Sequence, residues 1–361
     1  LATILTIENT PIEAKFVKYH LTHIKLSKSG FFYGKNDYLC SLIYNKKFLQ
    51  TMINRILIRI KVLQIVYSYY QNGNGDLKVA ENELLFSLQK SYDLYYYFLL
   101  LIIEVTNLQR RILDTRKCKY MPTDEELNPN TRFVDNRFVA QLAENDTLKK
   151  YVDEQGLSWS NDEEFVKNVL DTILSSEIYA EYLKNEEDSY ETDREFWRQI
   201  FKKVICGNEM IEEYLEDKSI YWNDDIEIVE TFALKTIKKF EEKKGSKQAL
   251  LPMFKDLEDK AFAIKLFRQS LLKGKEYRER IDKHMKNWET ERIANMDLII
   301  MQVALAEILS FPTIPINVTL NEYIDAAKYY STPKSGTFIN GILDSIAVSY
   351  THLRAHETEL H

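Results

Sequence analysis

Few residues in this chain can interrupt a helix. Its 361 residues include only 10 glycines and 7 prolines, although 45% are hydrophobic and 29% are charged. Glycine and proline are the residues that most often end regular segments, whereas the abundant Leu, Lys and Glu are good helix formers. The sequence therefore predicts long helices joined by few turns, and hence an all-α fold.

Composition narrows the class of protein further. The formal net charge of −7 and the hydrophobic content are typical of a globular chain. Cys40, Cys118 and Cys206 lie far apart and form no CxxC pair, which argues against a zinc site or a disulfide framework and favours a reducing, cytoplasmic location. The most apolar run, residues 94–103, is shorter than the ~20 residues that span a bilayer. We predict a buried helix there and no membrane partner.

The two ends of the chain differ from its body. The first methionine is Met52, and residues 1–51 show neither helical spacing, nor strand alternation, nor the pattern of a signal peptide. We expect this segment to be translated from upstream of the true start or to be a disordered extension. Residues 347–361 are polar and aperiodic, and we expect an artefactual or disordered tail there.

The first predicted helix, residues 54–70, has a basic beginning. No acidic residue occurs between Met52 and Gly75, and Arg55, Arg59 and Lys61 cluster near the start. Cations in a first turn face the positive end of the helix dipole, and the Arg55–Arg59 pair costs ~0.2–0.5 kcal/mol. A phosphate backbone would offset that cost. The charges alone favour the alternative, a solvated basic end.

The middle of the chain is acidic. After a predicted helix over residues 81–114 and a Pro/Asn-rich break at 121–133, helical stretches with acidic linkers fill residues 136–240. Such charge runs predict a solvated outer face. A role in repelling nucleic acid or in binding a basic protein is the alternative. Trp159, Trp197 and Trp222 fall in this region and are predicted to anchor its core.

Helical spacing and breakers predict the C-terminal elements. Met301, Ala304, Leu305 and Ile308 share one face and indicate core, and the prolines at 312 and 315 end that helix. The segment Thr319–Glu322 is a capping-box pattern that predicts the start of the next helix.

The last predicted helix contains an adjacent asparagine and glycine. Ser335 or Thr337 is predicted to cap it. Gly341 is predicted to let a neighbouring helix approach closely, with Asn340 capping or cross-linking that junction.

The sequence shows no pattern of an enzyme. Phosphate-binding glycine loops, HExxH and ExxH pairs and a GxSxG elbow are all missing. Pairs of carboxylates cannot be told from helical salt bridges in such a chain. We therefore predict no catalytic residue, no cofactor and no metal site.

A series of C-terminal residues resembles the pattern of the NusB transcription antitermination factors. In order, it consists of Arg292-Ile293, Asp297, Glu307, Ile314-Pro315, Val318, Asn321-Glu322, Ala327-Lys328 and the segment FINGILD at 338–344. The first helix agrees more loosely, through Arg55, Arg59 and the QIVY segment at 64–67, with Ile56 and Leu57 where the family has arginine. Residues 120–250 resemble the insertion of the enlarged NusB of the Bacteroidetes lineage.

The resemblance implies a NusB-like bundle of two packed helical subdomains with an added helical insertion. Residues 52–119 and 251–346 would form the bundle, and 120–250 the acidic insertion. Such a protein catalyses no reaction. It binds the boxA element of ribosomal RNA leader transcripts together with the ribosomal protein NusE, joins the RNA polymerase elongation complex with other Nus factors, and prevents premature termination.

Residue roles follow from the same resemblance. Arg55 and Arg59 would contact phosphates, and Phe338 would stack on or pack against a base. The RNA-binding positions implied are Arg55, Arg59, Lys61, Tyr67, Lys334, Ser335, Thr337, Phe338 and Asn340. Glu307 and Glu322 would contact NusE or, equally, pair and cap helices.

Two alternatives to this function remain open. One is a helical adaptor without RNA affinity, whose acidic insertion binds a basic partner. The other is a NusB-like domain of an RNA methyltransferase, which would need a downstream methyl-donor domain.

Overall fold

The chain is helical throughout the part that a computed structural model describes, which is residues 51–73, 75–285, 294–332 and 334–359, with side chains to residue 349. No β-strand occurs in these ranges, which confirms the all-α prediction. The described residues form two compact units, one of Ile53–Leu88 and Phe254 onward, the other of Gln89–Met253 with residues 51–52. The expectation for residues 1–50 lies outside the described ranges.

The α-helices follow one another with short connections. In chain order they are α1 (Arg55–Gln71), α2 (Leu77–Lys117), α3 (Asp124–Leu127), α4 (Arg137–Ala143), α5 (Asp146–Gln155), α6 (Glu163–Leu174), α7 (Glu177–Lys184), α8 (Tyr190–Ile200), α9 (Glu209–Lys218), α10 (Ile226–Lys239), α11 (Leu257–Leu272), α12 (Gly274–His284), α13 (Asn295–Ser310), α14 (Ile316–Tyr330) and α15 (Ser335–Glu359). A π-helix at Phe201–Ile205 and 3-10 turns at Ile220–Trp222 and Glu242–Lys247 complete the set. Helix α2 contributes its residues up to Leu88 to the first unit and those from Gln89 to the second.

Helix α13 is the centre of the first unit. It packs against α1, α11, α12, α14 and α15, and nearly every side chain from Met296 to Ile308 is buried. The apolar face predicted from Met301, Ala304, Leu305 and Ile308 is therefore confirmed as core. The helix ends at Ser310, just before Pro312, as predicted.

Local capping explains where α1 begins, but not where α14 begins. The Asn54 side chain accepts a hydrogen bond from the Leu57 amide at 2.9 Å, and the chain after α1 turns at Gly73 with a φ of 76°. The predicted capping box at Thr319–Glu322 is wrong, because α14 already begins at Ile316 behind Pro315. Thr319 lies inside the helix, and its buried hydroxyl bonds to another helix.

The start of α15 is held by Ser335. Its buried hydroxyl donates to Asp297 Oδ2 at 2.9 Å and accepts from the Thr332 amide at 3.1 Å, so this serine fastens α15 to α13. The helix is continuous to Glu359, and the assignment of residues 347–361 to an artefactual or disordered tail stays a prediction.

The predicted role of Gly341 is wrong. A Cβ placed there would have no neighbour within 4 Å, and both Gly341 and Asn340 are exposed. The buried face of α15 runs through Ile339, Ile342 and Leu343, which turns residues 340 and 341 outward. The close approach occurs instead at Gly336, where a Cβ would lie 3.1 Å from Lys328 Cγ of α14.

The second unit is built on aromatic residues. Trp159, Trp197 and Trp222 are all buried, as predicted, and the indole nitrogens of Trp159 and Trp222 donate to carbonyls of α2 at 3.1 and 2.7 Å.

Most residues of the apolar run 94–103 are buried in α2, which confirms the buried helix. Across the described ranges, no helix is long and apolar enough to span a membrane.

An ion pair in the first unit predicts a pH dependence of stability. The buried carboxylate of Glu81 accepts hydrogen bonds from Arg268 and from Lys78, which lower the pKa of Glu81 from 4.5 to about 2. Because the folded-state pKa lies below the unfolded one, this stabilisation is complete above about pH 4.5 and is lost as the pH falls towards 2. Glu81→Gln should therefore lower the urea midpoint at pH 7 but much less at pH 2.5.

The matched control for this prediction is Glu279→Gln, which changes an exposed carboxylate of the same unit. It should shift the midpoint little at either pH. A Glu81→Gln deficit that stayed constant between pH 7 and 2.5 would contradict the assignment.

Candidate nucleic-acid interface

Arg59 lies in the interior of the first unit and does not face solvent. Its Nε and Nη2 donate to the two carboxylate oxygens of Glu307 at 2.8 and 2.7 Å. Burial alone would lower the pKa of Arg59, but the hydrogen bonds and charge of Glu307 raise it above its ordinary value. The guanidinium is a fixed cation that joins α1 to α13. The described geometry gives no support to a direct phosphate contact by Arg59. Its side chain instead pairs with Glu307 inside the unit.

Glu307 completes this buried cluster. Its carboxylate is 0% exposed and also accepts from Thr319 Oγ1 at 2.9 Å and Tyr323 Oη at 3.0 Å. Glu322 stands 3.6 Å from Arg59 Nη1 at the edge of the cluster. Burial is the main reason why the pKa of Glu322 is raised. Of the two roles expected for these carboxylates, the pairing of helices fits the contacts, since the Glu307 carboxylate has no exposed surface for a protein partner.

Among the basic residues at the start of α1, Arg55 is the one that faces solvent. Its side chain is 43% exposed, its Nε stands 3.3 Å from Asp259 Oδ1, and its guanidinium lies 5.0 Å from the centre of the Phe262 ring. Lys61 is buried and Tyr67 is half-buried. We therefore expect Arg55 to be the residue of α1 that contacts phosphate.

The start of α15 presents a mixed polar and aromatic surface. Lys334, Thr337, Asn340 and Gly341 are exposed, and Phe338 is half-buried beside them. We call these five residues the α15 edge. Ser335, which we also expected to contact RNA, is buried beneath the edge and bonded to Asp297.

Arg55 and the α15 edge lie at opposite ends of α13. Phe262, on which Arg55 rests, packs 4.7 Å from the Phe311 ring just after α13, whereas Ser335 bonds to Asp297 at its start. At 1.5 Å per residue these two positions are about 20 Å apart along the axis. The two features do not form one pocket. A ligand that touches both has to be extended.

The partners of these residues were not visible in the sequence. Asp259 and Phe262, which support Arg55, are about 200 residues from it in the chain. Asp297 and Glu307 belong to the C-terminal sequence pattern, but that pattern does not indicate that they bind Ser335 and Arg59. Long-range pairing leaves no local signal, and only the periodic burial of α13 could have suggested an inward position for Glu307.

No cluster of three or more His, Cys, Asp or Glu side chains that could hold a metal ion occurs in the described ranges. Cys118 is exposed and Cys206 is half-buried.

Comparison with known proteins places part of the chain in a family. The model of the NusB family matches residues 230–348. A transcription antitermination protein NusB from Salinibacter ruber is 44% identical over 96 residues, which are 27% of this chain and 60% of that protein. The namesake from Koribacter versatilis is 42% identical over 95 residues, 26% of this chain and 65% of that protein. No solved structure matches.

A third relative is covered over most of its length. The transcription antitermination protein NusB from Geotalea daltonii is 37% identical over 135 residues, which are 37% of this chain and 88% of that protein. The matches to the proteins from Salinibacter ruber and Koribacter versatilis span slightly less than two thirds of those proteins. The coverage of the Geotalea relative, together with the family match over the C-terminal helices, shows that the chain belongs to the NusB family.

Proposed function

We propose that the protein is a non-enzymatic, cytoplasmic transcription antitermination factor that binds boxA RNA of ribosomal RNA leader transcripts together with NusE. It would act on the RNA polymerase elongation complex with other Nus factors. The observation that carries this proposal is the α15 edge, which lies in the matched range 230–348 and exposes Lys334, Asn340 and a helical glycine around an aromatic ring. The relatives that share this range are named transcription antitermination proteins.

The chemistry of the α15 edge suits single-stranded RNA. An aromatic ring stacks on a base with ~1–3 kcal/mol, and a lysine beside it neutralises phosphate. Asn340 can hydrogen-bond to a base edge, as RNA recognition commonly requires. Arg55 would hold phosphates about 20 Å away, at the other end of α13. An extended strand several nucleotides long would bridge the two places.

Two of the expected contacts become supporting positions in this proposal. Arg59 fixes α1 against α13 and so positions Arg55, while Ser335 fixes the start of α15 and so positions Phe338. Lys61 is buried and has no phosphate contact in the proposal. Tyr67 remains a half-buried candidate.

The test is boxA binding by Phe338→Ala. Loss of one stacked base should weaken binding about 5- to 150-fold in a fluorescence anisotropy titration. Tyr120→Ala, which removes a fully exposed aromatic ring from the second unit, is the matched control and should bind as the wild type does. Equal affinities for wild type, Phe338→Ala and Tyr120→Ala would remove the α15 edge from the RNA site.

Gly341 provides a separate prediction, because stability and binding should change in opposite directions. An exposed helical glycine costs roughly 0.5–1 kcal/mol relative to alanine, and a Cβ here meets no neighbour. Gly341→Ala should therefore raise the free energy of unfolding by that amount. It should also weaken boxA binding if the RNA backbone approaches this position closely. Gly336→Ala, which meets Lys328, should show no such gain in stability.

The adaptor alternative keeps one observation in its favour. Residues 120–234 contain 29 Asp and Glu but only 11 Lys and Arg. A surface of this charge suits a basic protein partner. Failure to bind boxA RNA with or without NusE, combined with capture of NusE through residues 120–234, would favour the adaptor.

A further inference from the structure

The charge of the second unit reverses at its C-terminal end. Residues 120–234 carry a net charge of −18, whereas residues 235–247 contain six lysines and two glutamates. The lysines of this stretch that are exposed are Lys238 and Lys239 at the end of α10 and Lys243, Lys244 and Lys247 in the 3-10 turn that follows. We call these five residues the lysine edge.

Buried amide side chains hold the turn of the lysine edge in place. Gln141 Nε2 donates to the carbonyls of Glu241 and Gly245, each at 3.0 Å, and Asn145 Nδ2 donates to the Gln248 carbonyl at 2.7 Å. Gln248 Oε1 in turn accepts from the Glu241 amide at 3.0 Å. Gly245 has a φ of 49°, a conformation that other residues rarely adopt. The backbone under the lysines is therefore fixed, and only their side chains remain to be ordered by a ligand.

Helix capping explains only part of the lysine edge. Lys238 and Lys239 are favourably placed against the negative end of the α10 dipole. Lys243, Lys244 and Lys247 lie beyond the helix, and the Lys243 side chain is 81% exposed. The acidic groups beside them are Glu241, which pairs with Lys243 at 3.0 Å and Lys244 at 2.7 Å, Glu242, and Asp146, which accepts from Ser246 at 3.3 Å. Glu241 offsets part of the charge of Lys243 and Lys244, but the five lysines still outnumber these three carboxylates, which leaves a net positive charge that an anion would offset.

The composition of the lysine edge indicates what kind of anion it would hold. Its five cations are lysines, which act as point charges, and it has no arginine fork and no exposed aromatic ring for stacking on a base. Such a surface neutralises a phosphate backbone without reading sequence. The acidic residues of 120–234 would repel a phosphate backbone, so the lysine edge is the place in this unit where such a backbone would bind.

We propose that the lysine edge binds the phosphate backbone of RNA without sequence preference, as a second contact in addition to the α15 edge. The choice of RNA among polyanions rests on the proposed function, because a transcript held at boxA supplies phosphates at a high effective concentration. The contact would raise affinity for long transcripts and leave recognition of boxA unchanged.

The test uses the full chain and three labelled RNAs: minimal boxA, boxA with a uridine tail, and oligouridine of the same total length. One variant carries Lys238→Gln, Lys239→Gln, Lys243→Gln and Lys247→Gln. The matched control removes the same charge from exposed lysines elsewhere in the unit, through Lys167→Gln, Lys184→Gln, Lys202→Gln and Lys203→Gln. Because all eight side chains are on the surface, both variants should keep the thermal midpoint of the wild type.

For tailed boxA and oligouridine, the lysine-edge variant should bind about tenfold more weakly than the control variant at low salt. The slope of log affinity against log salt should become shallower by up to about 3, as expected for four lost phosphate contacts on a single strand. Minimal boxA should bind both variants alike. Equal losses in the two variants, or no gain in wild-type affinity from the tail, would overturn the proposal.

The same titrations also test the proposed recognition of boxA, independently of the lysine edge. If the wild type bound minimal boxA no better than a scrambled RNA, the boxA assignment would fail. The oligouridine comparison would still decide whether the lysine edge holds RNA.

Discussion

Replacing Glu307 by alanine is expected to lower the free energy of unfolding by about 3–5 kcal/mol, because the buried Arg59 charge loses its hydrogen-bonded partner and keeps only Glu322, 3.6 Å away at the edge of the cluster. Glu307 accepts from Arg59 Nε and Nη2 and also from Thr319 and Tyr323, so the change leaves four donor groups without this acceptor. Urea denaturation at pH 7, monitored by circular dichroism, measures the loss. Arginine stays protonated throughout the accessible pH range, so the penalty should not diminish between pH 6 and 9.

A double variant separates the buried charge from packing. Arg59→Leu/Glu307→Leu removes both charges, and apolar replacement of a buried ion pair is often neutral or stabilising. It should therefore recover most of the stability that Glu307→Ala loses. If Glu307→Ala lowered the free energy of unfolding by less than about 1 kcal/mol, the value typical of an exposed ion pair, the description of Arg59 and Glu307 as a buried ion pair would be wrong. If the double variant were as unstable as the single one, packing and not charge would account for the loss.

Replacing Trp197 by alanine is expected to cost about 3–5 kcal/mol in the second unit. Trp197 is 0% exposed, with the rings of Phe133 and Phe196 each 5.7 Å away, so truncation would leave a cavity that the fixed helices cannot close. The urea midpoint followed by circular dichroism measures the effect.

The matched control for Trp197 is Trp197→Phe. The indole nitrogen has no hydrogen-bond partner within the described ranges, so phenylalanine keeps most of the packing and removes an unsatisfied donor. Trp197→Phe should therefore cost clearly less than Trp197→Ala. Equal losses for the two variants would show that the ring does not anchor this core.

The elements that the sequence predicted well are those governed by local chemistry. The start of α1 follows from the Asn54 cap, the end of α13 from Pro312, and the burial of Trp159, Trp197 and Trp222 from their size and hydrophobicity. The start of α14 was missed because two local signals competed. Pro315 is compatible with helix initiation, and α14 begins directly after it, three residues before the capping-box pattern at Thr319.

The candidate site was predicted less completely because its geometry depends on contacts between distant segments. Arg59 and Arg55 look alike in the sequence, yet Arg59 meets a glutamate 248 positions away and becomes internal, whereas Arg55 remains at the surface. Gly341 was assigned to helix packing from its residue type alone. The periodicity of Ile339, Ile342 and Leu343 already places it outside, and Gly336 is the glycine that packs.

The most direct test of the account is the affinity of the full chain for boxA RNA against a scrambled RNA of equal length, with and without NusE, across a salt series. The account predicts specific binding to boxA that NusE strengthens, that weakens with increasing salt, and that falls further in an Arg55→Ala/Phe338→Ala variant. Equal affinity for the two RNAs, unaffected by NusE and by that variant, would contradict the antitermination function.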